Sequence, residues 1–302
     1  LHASLAHWKV TDEPGTIVMP TGTGKTETML ALYAREELSR LLVVVPTAAL
    51  RDQIAEKFLT MGGLPEFGIL PQDVELPVVG RMEHLFDTPE EARRFQRQCN
   101  VVIATMAAIG RCPSPVRDAL AEGCSHLFID EAHHVPATTW SAFKERVRDF
   151  GRPILQYTAT PYRRDGKHIG GKSVFTYPLR QAQEDGYFAP ITFISIWEYN
   201  RNRADEAIAE RATQALHEDL EAGHDHLLMA RTERIERARE VHEVYEEVAP
   251  DLNPTLVHNE MGQSEQRAAI EAIRSRSSRV IVCVNMLGEG FDLPQLKVAA
   301  LH

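Results

Sequence analysis

Five short apolar runs, rich in β-branched residues, recur along the first half of this 302-residue chain: Thr16–Met19, Leu41–Val45, Val101–Ala104, His126–Ile129 and Pro153–Tyr157. Helix-like stretches separate them. Short strands that are apolar on every residue are covered on both faces, so the pattern predicts a parallel sheet with helices on each side. Such sheets place ligands beyond the carboxyl ends of their strands. Each run is followed directly by a segment of chemical interest: Pro20-Thr-Gly-Thr-Gly-Lys-Thr26, Pro46-Thr-Ala-Ala-Leu50, Thr105-Met-Ala-Ala-Ile109, Asp130-Glu-Ala-His133 and Thr158-Ala-Thr-Pro161. These segments therefore converge on one edge of one sheet.

From Asp165 to Pro190 the pattern breaks into a Gly- and Lys-containing linker, and a second series of strands and helices follows. Its strands are expected at Ile191–Trp197, His226–Ala230, Thr255–His258 and Arg279–Val284, its helices at Ala204–Ala222, Glu233–Val248 and Ser264–Arg274. Leu296–His302 is strand-like again. The fold class expected is α/β, with two tandem domains over 1–180 and 181–302, each a mainly parallel sheet with helices on both faces. The second domain reads as cut short, and the start at Leu1 inside a helix-like stretch reads as a fragment end.

Four cysteines, Cys99, Cys112, Cys124 and Cys283, are widely spaced without a C-x-x-C pair, which argues against a zinc site or a disulfide framework. No run of about 18 apolar residues and no signal-peptide order is present, so a cytoplasmic protein away from membranes is the expectation. A net charge of −10 opposes the simplest picture of a nucleic-acid binder. Basic residues nevertheless gather at Arg93, Arg94 and Arg97, at Arg163, Arg164, Lys167 and Lys172, and at Arg274, Arg276 and Arg279. Each group taken alone reads as a solvated helix or loop face.

Met19 to Thr26, between a strand and a helix, has the composition of a triphosphate cradle. Gly22 and Gly24 let the backbone curl so that N–H groups and the following helix N-terminus meet phosphate oxygens. Thr21 and Thr23 complete that loop, Lys25 meets the β/γ-phosphates, and the Thr26 hydroxyl suits Mg²⁺. Met19 departs from the strict G-x-x-x-x-G-K-[ST] form. Asp130 and Glu131, after the run His126–Ile129, supply the remaining half of a phosphoryl-transfer site, with Asp130 on the metal and Glu131 on the attacking water.

Pro20–Thr26, Asp130–His133 and Thr158–Pro161 resemble motifs I, II and III of superfamily 2 DEAD/DEAH-box helicases. Val43–Thr47, Ala104–Met106, Leu228–Thr232 and Val284–Asp292 resemble motifs Ia, Ib, IV and V, so the likeness covers almost the whole chain. It implies two RecA-like domains, with ATP and Mg²⁺ in the cleft between them and a nucleic-acid strand across both. It further implies that Lys25, Glu131 and His133 act in catalysis and that His133 couples the ATP site to Thr158 and Thr160. Thr47, Thr105, Thr232 and Asn285 would touch the nucleic acid, with Arg51 and Arg81 as weaker candidates. Gly290 would approach the nucleotide and Asp292 its ribose. His134 is left unassigned.

The stretches Thr158–Lys167 and Tyr177–Pro190 are more similar to the DNA translocase branch, which includes type I and type III restriction motors and excision-repair helicases. The implied activity is ATP-dependent translocation on single- or double-stranded DNA, with nuclease, methyltransferase or other subunits as partners. An RNA helicase, a P-loop kinase or ATPase that never meets nucleic acid, and a nucleotide-dependent binding module without turnover are the alternatives. No Q-x-x-G-R-x-x-R segment follows motif V in this sequence, so weak hydrolysis is expected of these residues alone.

Overall fold

A computed structural model describes residues 1–134, 137–162, 166, 168–200, 203–284 and 293–302. The chain divides into two compact units, Leu1–Pro190 and Ile191–His302.

The first unit is built on strands β1 (Gly15–Val18), β2 (Leu41–Val45), β3 (Val79–Arg81), β4 (Val101–Thr105), β5 (His126–Ile129), β6 (Ile154–Thr158) and β7 (Lys172–Thr176), in the order β3-β4-β2-β5-β6-β1-β7. Every pairing is parallel. Alternate residues of the central strands go to opposite faces. Leu42, Val44, Val102, Ala104, Leu127 and Ile129 enter one core, while Leu41, Val43, Val45, Val101, Ile103 and Phe128 enter another. That double burial is why these runs are apolar throughout rather than alternating.

β3 and β7 lie in segments that the sequence does not mark as strands. β3 is only three residues long, and β7 carries the polar sequence Lys-Ser-Val-Phe-Thr at the sheet edge, exposed on most residues. Gly80 in β3 is required by packing, because a Cβ there would come within 2.5 Å of Cys99 Sγ and 2.8 Å of the Phe95 ring.

The second unit carries β8 (Leu227–Thr232), β9 (Thr255–Val257), β10 (Val280–Val284) and β11 (Leu296–Leu301), again parallel, in the order β11-β8-β10-β9. Helices Ala204–Glu221 and Ile235–Val248 cover one face, and Gln263–Arg274 covers the other. Ile191–Trp197 is not a strand. Its alternation of apolar residues fits one, but a strand exists through its ladder, and among the described residues none pairs with it; Phe193 and Trp197 are more than four-fifths exposed. No helix among the described residues is long and apolar enough to cross a membrane.

Candidate nucleotide site

β1 runs straight into the glycine loop. Met19 is buried in the core below it, and its N–H donates to the Thr158 carbonyl of β6 at 2.9 Å. An apolar side chain in place of the first glycine thus fastens the base of the loop to the sheet. Above it Gly22 and Gly24 hold φ of +84° and +93°, the left-handed region that a side chain resists. Thr23 closes the turn, its hydroxyl donating to the Pro20 carbonyl at 2.7 Å. Gly24 caps the helix Lys25–Arg35, so unpaired N–H groups of its first turn point into the loop. Thr21 and Gly22 are exposed, and Thr26 is half-buried in the first turn.

The Lys25 ammonium lies 3.1 Å from Glu131 Oε1, with the two side chains only 8% and 9% exposed, and it also reaches the Met19 carbonyl at 3.4 Å. Asp130 directly follows β5, 3% exposed, its Oδ1 accepting the Glu131 N–H at 3.0 Å. Its negative charge adds to burial in raising the phenol of Tyr157 well above its usual range. Glu131 adopts φ +45°, a strained value for a residue with a side chain.

Beyond Glu131 the chain turns into a 3₁₀ segment, Ala132–His134. His133 Nδ1 sits 3.4 Å from Glu131 Oε2 and 3.0 Å from Thr158 Oγ1. The first of these contacts lacks hydrogen-bond alignment, since Glu131 Oε2 has no hydrogen-bond partner. The Thr158 hydroxyl donates to the Thr160 carbonyl at 2.7 Å and accepts the Thr160 N–H at 3.2 Å. Its single hydrogen is thereby used, so the contact with His133 requires Nδ1 to carry the proton. A continuous row of polar contacts results: Lys25, Glu131, His133, Thr158, Thr160.

The donor set fits Mg²⁺ bound to a nucleotide. That ion takes one or two carboxylates together with phosphate oxygens and water, so one buried carboxylate, Asp130, with the Thr26 hydroxyl suffices. The buried and unpartnered Glu131 Oε2 is an acceptor suited to water. No cluster of three or more His, Cys, Asp or Glu side chains placed to bind a metal by themselves occurs among the described residues.

The expected nucleic-acid contacts are placed unevenly. Thr47 and Thr105 stand at the carboxyl ends of β2 and β4, where their oxygens cap helices by accepting from Leu50 N–H at 3.2 Å and Ala108 N–H at 3.1 Å. Their hydroxyl hydrogens remain able to donate outward. Arg51 is held by Asp52 at 2.8 Å and the Met82 carbonyl at 3.3 Å, and Arg81 pairs with Glu56. In the second unit Thr232 is 2% exposed and donates inward to the Arg234 carbonyl. Asn285, Gly290 and Asp292 lie outside the described residues.

Two features carry no signal in the sequence. The Phe188 ring lies against the glycine loop, 3.9 Å from the position of a Cβ on Gly22. Gln156, fully buried in β6, receives Lys144 Nζ at 2.9 Å and donates to Thr16 and the Gly170 carbonyl, tying β1 and β6 together beneath the site.

The family model of the type III restriction enzyme, res subunit, matches residues 1–163, and that of the helicase conserved C-terminal domain matches 209–301. No curated protein matches the chain. Among solved structures, the DUF1998 helicase MrfA bound to DNA is similar at a TM-score of 0.61 and 17% identity, covering 99% of this chain and 41% of its own. The same protein bound to DNA and AMPPNP gives 0.61 and 18%, covering 99% and 43%. The Hef helicase domain of Pyrococcus furiosus gives 0.51 and 15%, covering 99% and 88%. The chain thus spans less than half the length of the MrfA chains it resembles. These likenesses establish the fold, and the match over residues 1–163 establishes the family. The two parallel-sheet units are tandem RecA-like domains, and the chain belongs to the type III restriction enzyme res-subunit family of superfamily 2 helicases.

Proposed function

We propose that this chain is the motor core of an ATP-dependent DNA translocase. The observation that carries the reading is the buried pairing of Lys25 with Glu131 beneath the glycine loop, continued through His133 to Thr158 and Thr160. Lys25 and the loop N–H groups hold the phosphates of ATP. Thr26 and Asp130 would hold Mg²⁺, which would neutralise charge on the phosphates. Entry of the triphosphate draws Lys25 off Glu131, which leaves that carboxylate to accept a proton from the attacking water.

His133 moves with Glu131 and passes the change to the segment after β6. Thr47 and Thr105, at neighbouring strand ends, donate hydroxyl hydrogens to backbone phosphates, contacts that position a strand without reading bases. Differential affinity of the nucleotide states for two arrangements of the protein is what drives stepping. DNA is preferred over RNA because of the restriction-motor family and because MrfA was solved with DNA. ATPase assays on the intact protein with added single-stranded DNA, duplex DNA and RNA test this. Stimulation by DNA is expected, and no stimulation by any of the three would overturn the motor reading.

A further inference from the structure

An arginine-lined cavity opens at the amino ends of the strands of the first unit's sheet. It measures about 310 Å³ and is lined by Arg40, Arg93, Arg97, Arg152, Gln96 and Glu122. Arg40 directly precedes β2 and Arg152 stands just ahead of β6, so the cavity belongs to the amino ends of the strands. The glycine loop follows a carboxyl end. At about 3.3 Å per residue, the strands put roughly 15 Å between the two sites.

Four guanidinium groups here face one carboxylate. Glu122 is taken by Arg93 at 3.1 Å, and Arg93 also approaches Glu90 at 3.6 Å. Arg40, Arg97 and Arg152 make no ion pair among the described residues. Arg152 Nη2 donates to the Glu122 carbonyl at 3.3 Å, but its Nε is buried with no hydrogen-bond partner. A buried N–H normally finds an acceptor, so this donor is free to take one. Gln96, 3% exposed, is pinned to the Leu120 carbonyl at 2.9 Å and forms a fixed wall. Gly123 keeps that wall in place, since a Cβ there would fall 2.1 Å from Gln96 Oε1. The local potential is felt below the cavity: Arg152 adds to burial in lowering His126 to about 4.

We propose that this cavity is a second phosphate-binding site, in which the guanidinium groups of Arg152, Arg40 and Arg97 hold the oxygens of one phosphate group. Arginine forks match tetrahedral oxyanions, and an unpaired guanidinium is more weakly hydrated than an ammonium, so it gives up water readily. The phosphate belongs either to a nucleic-acid backbone or to a free phosphate compound; both present the same anion. The inference does not depend on the glycine loop turning over ATP.

The test uses intact protein carrying Lys25→Ala, which silences the glycine loop, with and without Arg40→Glu/Arg97→Glu. Inorganic pyrophosphate is titrated by calorimetry and a fluorescein-labelled oligothymidylate by anisotropy. The charge reversal should weaken one or both probes about tenfold or more, with the oligothymidylate salt slope falling by roughly 0.7 per lost contact. Loss confined to the oligothymidylate assigns the site to a nucleic-acid backbone, and loss confined to pyrophosphate assigns it to a free compound. Unchanged affinity for both probes would overturn the proposal. So would an equal loss in Arg94→Glu/Arg180→Glu, which reverses two charges outside the cavity. Should the reversal variant not fold, Arg40→Ala/Arg97→Ala is read in the same way.

Discussion

Lys25 and Glu131 are paired at 3.1 Å with both side chains buried, so the residue proposed to bind phosphate is held by the residue proposed to activate water. Removing one partner strands the other charge away from solvent. Lys25→Ala is expected to lose nucleotide binding and to melt at lower temperature. The double variant Lys25→Ala/Glu131→Ala should be more stable than the two single losses predict, by about 1–3 kcal/mol of coupling. Additive losses in thermal unfolding would show that the pair contributes nothing.

Glu131→Gln keeps the shape and removes the carboxylate proposed as the base. Turnover in the presence of DNA should fall by about 10²–10⁴-fold while ATP stays bound, because proton acceptance is lost and the cradle is not. Steady-state hydrolysis beside binding of a fluorescent ATP analogue separates the two effects, and unchanged turnover would remove Glu131 from its role.

Thr158→Val deletes the hydroxyl that serves His133 and both backbone groups of Thr160. Stability should drop by about 1–3 kcal/mol from the polar groups left unsatisfied. ATP affinity should hold while stimulation by DNA is lost. If stimulation survives, the row of contacts does not carry the signal.

Gly171 has φ +115°, and a Cβ on it would lie 2.4 Å from the Pro14 carbonyl oxygen, which is backbone and cannot swing aside. Gly171→Ala should therefore cost on the order of 3 kcal/mol and loosen β7 from β1. Denaturant unfolding measures this. A midpoint equal to that of the parent would contradict the packing described.

Burial, with help from Arg152, lowers His126 from 6.5 to about 4. An unfolded chain takes up that proton first as the pH falls. The stabilising contribution is thus complete above 6.5 and is lost progressively towards pH 4. His126→Phe should flatten the decline of melting temperature over that window, and an identical decline in both proteins would rule His126 out as its source.

Much of the fold can be read from burial pattern alone. β2 and β5 coincide with their apolar runs, because strands covered on two faces admit little else. β7 escaped because an edge strand tolerates polar residues, and Ile191–Trp197 misled because apolar alternation cannot supply a pairing partner. In the site, the spacing of motifs after the strands foretold that Lys25, Thr26, Asp130 and Glu131 gather at the carboxyl ends of β1 and β5. Their pairing, the inward turn of Thr232 and the placement of Phe188 depend on distances no spacing encodes. The arginines at 93 and 97 read as a solvated helix face in sequence, because Arg40 and Arg152, which stand beside them in the fold, are distant along the chain.

The Thr158 hydroxyl has one hydrogen and two lone pairs, and its three contacts use them all. It therefore works as a full junction: no new partner can enter unless an old one leaves. Any rotation of the histidine ring on one side must be matched by release or capture of the peptide on the other. Such an oxygen makes the choice between two arrangements abrupt, which the proposed stepping would need more than it needs strength.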